Sequence, residues 1–123
     1  MYLGRSLLMS MILTIISTFP GHSAELVMVE QVGCHWCERW DAEISHIYPK
    51  TSEGRQAPLR RVDLRDLPDD ITFRSPPVFT PSFVLVQDGQ ELARLEGYNG
   101  DEFFWFLLAQ MLKDNADQIA VPQ

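Results

Sequence analysis

Runs of apolar residues alternate with polar segments along the chain, and their spacing predicts the elements of a small α/β domain. Residues 26–29 are continuously apolar, which is typical of a strand buried on both faces of a sheet. Residues 34–48 carry apolar side chains at helical spacing and predict a helix that ends at Pro49. Apolar and charged positions alternate over residues 59–64, which predicts a second strand. Because a crossover helix leads to it, this strand should run parallel to the first.

Two stretches between the predicted elements lack a periodic pattern. The polar residues 51–58 are predicted to form a loop. Residues 65–80 are predicted to be irregular apart from one short helical turn at residues 68–71. Pro76 and Pro77 interrupt any regular element there.

The C-terminal part of the pattern predicts a β-hairpin followed by a helix. Asp88-Gly89 stands between the strand-like runs 83–86 and 91–96, and an Asp-Gly pair in this position is a strong hairpin signal. Residues 101–113 are predicted to form the last helix, which begins with two acidic residues that suit a helix N-terminus.

Residues 103–108 of the last helix are apolar on almost every side. We expect them mainly to pack in the core and only secondarily to offer a surface to a partner. The order of elements is then β-α-β, β-hairpin and α. This order predicts an α/β fold in which a four-stranded mixed sheet carries helices on its faces.

The N-terminal segment has the organisation of a secretory signal. Arg5 supplies a positive charge, mostly apolar residues follow at 7–19, and small residues end the segment. We expect residues 1–24 to be a signal peptide, with a boundary certain to within one or two residues, and residues 25–123 to be one exported domain. The apolar run is shorter than the about twenty residues of a typical membrane span. A membrane anchor formed by an uncleaved signal is the alternative.

The formal net charge of −7 and a hydrophobic content of 46% fit one small domain with a modest core. Such a negative surface argues against nucleic acid and anionic membranes as partners. Export places any cysteine pair outside the reducing cytosol, where disulfides persist.

Cys34 and Cys37 are the only cysteines, and they follow the first predicted strand at the start of the first helix. A helix start directs free backbone N–H groups and the positive end of its dipole at the first sulfur. This arrangement favours the thiolate, which is the species that attacks disulfides. Two sulfurs one helical turn apart can also close on each other and release a bound substrate. The pair therefore predicts reversible thiol–disulfide chemistry, with no metal and no cofactor.

Three other kinds of site could contain such a cysteine pair. A zinc site needs about four ligands, and besides the cysteines the chain offers only His22, His35 and His46. A haem attachment motif is excluded because Glu38, and not histidine, follows the second cysteine. A purely structural disulfide is disfavoured because so short a loop gives the smallest entropic stabilisation.

The chain resembles the thioredoxin superfamily over essentially all of the expected exported domain. The Cys-x-x-Cys pair follows the first strand, and Thr80-Pro81 leads directly into the third. Gly89 and Gly97 follow Pro81 at intervals of eight residues, similar to the spacing in thioredoxins. The resemblance implies that Pro81 is cis and that the backbone of Thr80 binds an extended substrate. The alternative for Pro81 is an ordinary proline at a strand start.

Two positions depart from the thioredoxin pattern. His35 and Trp36 stand between the cysteines, where thioredoxins carry Gly-Pro. Met28 occupies the position of a buried acid in thioredoxins. Glu30 either replaces that acid or is a solvated residue at a strand end, and the sequence leaves both interpretations open.

A narrower resemblance is carried by residues 29–43, Val-Glu-Gln-x-Gly-Cys-x-x-Cys-Glu-Arg-Trp-Asp-Ala-Glu. This block resembles the SoxS-type periplasmic thioredoxins of bacterial sulfur oxidation. The resemblance implies a periplasmic location and reduction of an oxidised cysteine on a sulfur-carrier protein. It also implies a membrane thiol transporter as the electron donor.

The position of each sulfur predicts its role. Cys34, at the helix start and more exposed, is the predicted nucleophile, and Cys37 is the resolving thiol. His35 stabilises the thiolate when protonated or is merely a solvent-facing residue. Trp36 is predicted to rim the site and to bind substrate, or else simply to cover the helix end.

The sequence leaves the direction of electron flow open. A lowered Cys34 pKa makes the disulfide more oxidising, which favours an oxidase or isomerase. The chain has no inserted helical domain for unfolded clients and no dimerisation segment, so a monomeric reductant with one folded partner fits better. A general exported reductant is a further alternative. A non-catalytic binding module is disfavoured by the intact Cys-x-x-Cys pair.

Overall fold

The computed structural model describes residues 14–15 and 24–119. The predicted signal peptide, residues 1–24, lies almost entirely outside the described residues. Along the chain the strands and α-helices are β1 (Glu25–Glu30), α1 (His35–Trp40), α2 (Ser52–Gln56), β2 (Leu59–Asp63), β3 (Ser82–Gln87), β4 (Gln90–Glu96) and α3 (Asp101–Asp114).

The four strands form one mixed sheet in the order β2-β1-β3-β4. β1 runs parallel to β2 and antiparallel to β3, and β3 runs antiparallel to β4. The predicted β-α-β unit and the mixed four-stranded sheet are confirmed. The two central strands are also the most apolar, because they are covered on both faces: all six residues of β3 are buried.

A tight turn joins β3 to β4, as the Asp-Gly pair predicts. Asp88 and Gly89 both have positive φ, 52° and 74°, which is the combination required by a two-residue hairpin turn of type I′. Gly89 is needed for a second reason, since a Cβ there would lie 2.7 Å from the carbonyl oxygen of Asp70.

The helices pack together on one face of the sheet. Trp40 of α1 lies against Phe83 of β3 and Phe104 of α3, with ring centroids 5.2 and 5.7 Å apart. These rings belong to a larger buried cluster, which includes Leu26, Met28, Ile44, Leu85 and Leu108. This cluster holds α1 and α3 against the sheet, because a close-packed interior leaves no free space into which a large ring could move.

The irregular segment between β2 and β3 covers the opposite face. Ile71 is buried against Val27, Val29, Val84 and Val86 of the central strands. Partly buried residues complete this second core, among them Val62, Leu64, Leu67 and Phe73. The segment therefore acts as a layer of the fold although it contains no helix. No helical turn forms at residues 68–71, where the sequence predicts one: residues 69–70 make a single non-helical turn, and Thr72 then pairs with Gln90.

The predicted helix over residues 34–48 is not continuous. The α-helical hydrogen bonds end with α1, and the chain continues as a π-helical turn, Asp41–Ser45, and a 3₁₀ turn, Tyr48–Lys50. The hydroxyl of Ser45 donates to the carbonyl of Asp41 at 2.7 Å. Such a side-chain bond competes with the helical ladder for that carbonyl.

Two further expectations are corrected. Residues 51–58 are not only a loop, because they contain α2, whose first turn is capped when Thr51 Oγ1 accepts the N–H of Gly54 at 3.0 Å. In α3, Phe104 and Leu108 are buried, but Phe103, Phe106 and Leu107 are exposed. A helix packed against one side of a sheet can bury only one stripe of its surface.

No helix within the described part of the chain is both long and apolar enough to cross a membrane.

Replacing Gly54 by alanine should destabilise the fold, because the added Cβ would lie 1.9 Å from the carbonyl oxygen of Tyr48. This contact joins α2 to the 3₁₀ turn through backbone atoms, which cannot rotate away. We expect Gly54→Ala to lower the free energy of unfolding by about 3 kcal/mol in urea titrations of the oxidised protein. The control Gln56→Ala, at an exposed position of the same helix, should change it by no more than about 0.5 kcal/mol. Equal effects of the two variants would contradict this account.

Candidate active site

The end of β1 leads directly into α1 through a short turn. Gly33 has a φ of 80°, a conformation that side-chain-bearing residues rarely adopt. The turn is closed by the N–H of Cys34, which donates to the carbonyl of Gln31 at 3.3 Å. As a result Cys34 becomes the N-cap residue of α1, and Cys37 lies in the first turn.

Cys34 and Cys37 are joined as a disulfide, with their Cα atoms 5.2 Å apart. The sulfur of Cys34 accepts a hydrogen bond from the backbone N–H of Cys37 at 3.1 Å. Cys34 retains 9% of its surface exposed and Cys37 retains 5%, in the order that the sequence predicts. A hydrogen bond to the sulfur favours the charged form of a thiol, so the helix start can stabilise a Cys34 thiolate.

The loop before β3 is joined to the segment that precedes Cys34. The Thr80–Pro81 peptide bond is cis, as the family resemblance implies. Gln31, which follows β1, donates from Nε2 to Oγ1 of Thr80 at 2.9 Å. The carbonyl of Pro81 accepts the N–H of Gly97 at 2.7 Å, so this loop is also tied to the end of β4. Thr80 and Pro81 are therefore held next to the segment that carries Cys34.

His35 and Trp36 lie on the outside of the loop between the cysteines. Both are exposed, and their rings meet edge to face with centroids 5.3 Å apart. The guanidinium of Arg39 lies 5.5 Å from the centroid of the Trp36 ring, within the range of a cation–π contact. The predicted position of Trp36 at the rim agrees with the geometry, and the roles assigned to the two side chains remain predictions.

Two hydrogen bonds link Arg39 to Glu43 and Glu43 to Tyr98. Arg39 Nε donates to Glu43 Oε1 at 2.9 Å, and the hydroxyl of Tyr98 donates to the other carboxylate oxygen. Two hydrogen bonds lower the pKa of the Glu43 carboxyl: the larger effect comes from Tyr98 and the smaller from Arg39. Sequence reasoning missed this group, although the four-residue spacing of Arg39 and Glu43 is a recognisable helical pairing signal.

A cavity of about 350 Å³ opens beside the disulfide, on the side of β2. Its walls include both cysteines, Glu30, Asp41 and Arg61. Arg61 lies between the two carboxylates, 2.9 Å from Glu30 and hydrogen-bonded to Asp41. Glu30 is thus an ion-paired, partly buried residue of the cavity wall, intermediate between the two interpretations that the sequence left open. Met28 is buried in the core.

The described residues contain no group of three or more His, Cys, Asp or Glu side chains that would bind a metal ion. His22, one of the candidate zinc ligands, lies outside the described residues. The donor set around the cysteines therefore gives a zinc site no support within the part of the chain that the structure describes.

Among the solved structures that resemble this chain are two thioredoxins. The crystal structure of the periplasmic thioredoxin SoxS from Paracoccus pantotrophus, in its reduced form, matches with a TM-score of 0.71 and 49% identity, over 73% of this chain and 96% of that one. A thioredoxin from Malassezia sympodialis, Mala s 13, matches with a TM-score of 0.55 and 18% identity, over 74% of this chain and 76% of its own. The second likeness supports the fold alone. No protein-family model and no curated protein matches the chain.

Replacing His35 by alanine tests whether this side chain stabilises the thiolate. Loss of a neighbouring cation should raise the pKa of the Cys34 thiol and slow its alkylation by iodoacetamide at mildly acidic pH by about threefold, equivalent to roughly half a pKa unit. The N–H of Cys37 remains, so reactivity should fall and not vanish. His46→Ala, at an exposed position beyond α1, is the matched control. An unchanged alkylation–pH profile in His35→Ala would assign the activation to the helix start alone.

Proposed function

The chain belongs to the thioredoxin superfamily, and we propose that it is a periplasmic reductant of an oxidised cysteine on a sulfur-carrier protein. Its activity as a thiol–disulfide oxidoreductase follows from the family and from the Cys34–Cys37 pair. The periplasmic location, the carrier substrate and the direction of electron flow are the parts that we propose.

One observation carries the proposal. A Cys-x-x-Cys pair at a strand-to-helix junction, together with a cis proline before β3, occurs in a chain that shares 49% identity with a periplasmic thioredoxin over 96% of that protein's length. The block at residues 29–43, which resembles SoxS-type thioredoxins, supports the carrier protein as substrate. A membrane thiol transporter is the proposed source of electrons, because a protein that reduces substrates outside the cytosol must itself be reduced again.

The proposed reaction transfers two electrons from the reduced cysteine pair to a substrate disulfide. The Cys34 thiolate attacks one substrate sulfur, the substrate S–S bond breaks, and the other substrate sulfur leaves as a thiolate that takes up a proton. The Cys37 thiol then loses its proton and attacks the Cys34 sulfur of the mixed disulfide. The Cys34–Cys37 bond forms, and the second substrate thiol is released.

Neighbouring groups support particular steps of this reaction. The N–H of Cys37, which bonds the Cys34 sulfur, would stabilise the Cys34 thiolate as the nucleophile. His35, the residue after Cys34 in the chain, would add a positive charge nearby when it is protonated. Thr80 and Trp36 are the proposed substrate contacts, since Trp36 is exposed between the two cysteines and Thr80 is bonded to Gln31, three residues before Cys34.

A disulfide oxidase or isomerase is the second candidate, and one observation favours it. The hydrogen bond to Cys34 stabilises the reduced form, which makes the disulfide a stronger oxidant. We favour the reductant because residues 24–119 form a bare thioredoxin core, without an inserted helical domain for unfolded clients.

Replacing Cys37 by serine should trap the mixed disulfide, because the thiol that resolves it is lost. Covalent complexes of Cys37→Ser with its substrates should accumulate and be visible by non-reducing electrophoresis and mass spectrometry. Cys34→Ser is the matched control and should trap nothing. The opposite pattern, with complexes only in Cys34→Ser, would reverse the roles of the two sulfurs.

The reduced protein should discriminate strongly between substrates. We expect it to reduce an oxidised sulfur-carrier thiol at least about a hundredfold faster than insulin, a difference of roughly 3 kcal/mol in transition-state binding. The measurement is the second-order rate constant for each substrate under identical conditions. Comparable rates would indicate a general exported reductant. Rapid oxidation of a reduced, unfolded protein by the disulfide form, with slow reduction of both substrates, would support the oxidase.

A further inference from the structure

Trp36, which stands between the two cysteines, is held by a contact from its own helix. The guanidinium of Arg39 lies over the indole ring, 5.5 Å from its centroid. The two residues are three positions apart in α1, a spacing that brings side chains together on a helix surface. Trp36 nevertheless remains 47% exposed, so a large part of the ring is open to a substrate.

Arg39 is itself bonded to Glu43, whose two carboxylate oxygens have different partners. Oε1 accepts the Nε–H of Arg39 at 2.9 Å, and Oε2 accepts the hydroxyl of Tyr98. An exposed ion pair alone contributes little, because holding two long side chains in one geometry costs entropy. Here the carboxylate is also bonded to a tyrosine that is only 4% exposed and packs against the ring of Phe104 in the core. The exposed pair is therefore anchored to the interior.

The segment that contains Tyr98 also holds the loop of the cis proline. Gly97, the residue before Tyr98, donates its N–H to the carbonyl of Pro81 at 2.7 Å. This loop and Trp36 come from separate parts of the chain, and both are proposed to contact the substrate. Residues 97–98 are thus linked to both contacts, to the loop through the backbone and to Trp36 through two intervening side chains.

We propose that Tyr98, Glu43 and Arg39 are positioning residues that hold the Trp36 ring in one orientation relative to the cis-proline loop. A polypeptide substrate then meets a preformed surface. This inference rests on the proposed function, because Trp36 is a substrate contact there. It adds the residues on which that contact depends.

The order of the Trp36 ring affects binding, because a substrate that meets a mobile ring must itself restrict it. Immobilising one such side chain on association weakens affinity by about two- to tenfold. Without the Tyr98 hydroxyl, Arg39 and Glu43 would form an ordinary exposed pair that is no longer tied to the core. The expected consequence is weaker binding of substrates that are long enough to contact Trp36.

The first test measures the motion of the tryptophan rings. In isotope-labelled protein, the NMR heteronuclear NOE of each indole N–H reports motion on the picosecond to nanosecond timescale. The signal of Trp36 is identified by its loss in Trp36→Phe. Tyr98→Phe and Glu43→Ala should each lower the NOE of Trp36 by about a third, as expected when an ordered group becomes flexible. The signals of Trp40 and Trp105 should keep their values.

Tyr48→Phe is the matched control, because it also removes the hydroxyl of a buried tyrosine. The hydroxyl of Tyr48 donates to the carbonyl of Ala57 and not to a carboxylate. This variant therefore tests for a general loss of packing or stability. It should leave the NOE of Trp36 unchanged.

The second test measures a ratio of two rate constants for the reduced protein. One substrate is an alanine–serine peptide whose central cysteine is disulfide-linked to glutathione. The other is hydroxyethyl disulfide, which offers no polypeptide to Trp36. The ratio of peptide to small disulfide should fall about fivefold in Tyr98→Phe and Glu43→Ala, at least as far in Trp36→Ala, and by less than about twofold in Tyr48→Phe. Changes in thiol reactivity or in the folded fraction cancel in this ratio.

Unchanged motion of the Trp36 ring in Tyr98→Phe and Glu43→Ala would overturn the positioning role and leave the proposed function standing. A ring that becomes mobile while the ratio stays constant would overturn its importance for substrate binding. An equal response of Tyr48→Phe in both measurements would reduce the effect to general destabilisation and also overturn the inference. A wild-type protein that reduces neither disulfide would overturn the proposed function together with the inference.

Discussion

The position of Cys34 at the first turn of α1 is the constraint on which the rest of the site depends. β1 is held between β2 and β3, so its end is fixed, and Gly33 turns the chain sharply into the helix. Cys34 then accepts the N–H of Cys37, and the helix is anchored on the sheet by the buried ring of Trp40. The two sulfurs are therefore held in a fixed position relative to the core.

Because β1 is central, its end borders two unlike surfaces. On the side of β3 lie the cis Thr80–Pro81 bond and a loop without charges, tied to β1 by Gln31. On the side of β2 lies a cavity whose wall contains Arg61 with its paired carboxylates. The β2 side thus provides charged groups close to the cysteines.

The elements that could be predicted from the sequence are those whose signal is local. The apolar run of β1, the Asp-Gly turn and the acidic start of α3 each mark an element without reference to the rest of the chain. The π-helical turn was not predictable from apolar spacing, which shows only which side chains face the core. It does not show that the Ser45 hydroxyl bonds the carbonyl of Asp41, a group that would otherwise belong to the helical hydrogen bonds. α2 was missed because it is short and polar, although Thr51 was an available cap signal.

By itself the sequence determined the chemistry of the site: a cysteine pair at a strand-to-helix junction, with His35 and Trp36 between its sulfurs. Family resemblance added the cis proline. Only the tertiary structure decided that Gln31 meets Thr80, 49 residues away, and that the hydroxyl of Tyr98 reaches Glu43 behind Arg39. Such contacts depend on which strands pair and in which register. The register is set by the packing of the whole sheet, and the sequence near Gln31 or Thr80 does not determine it.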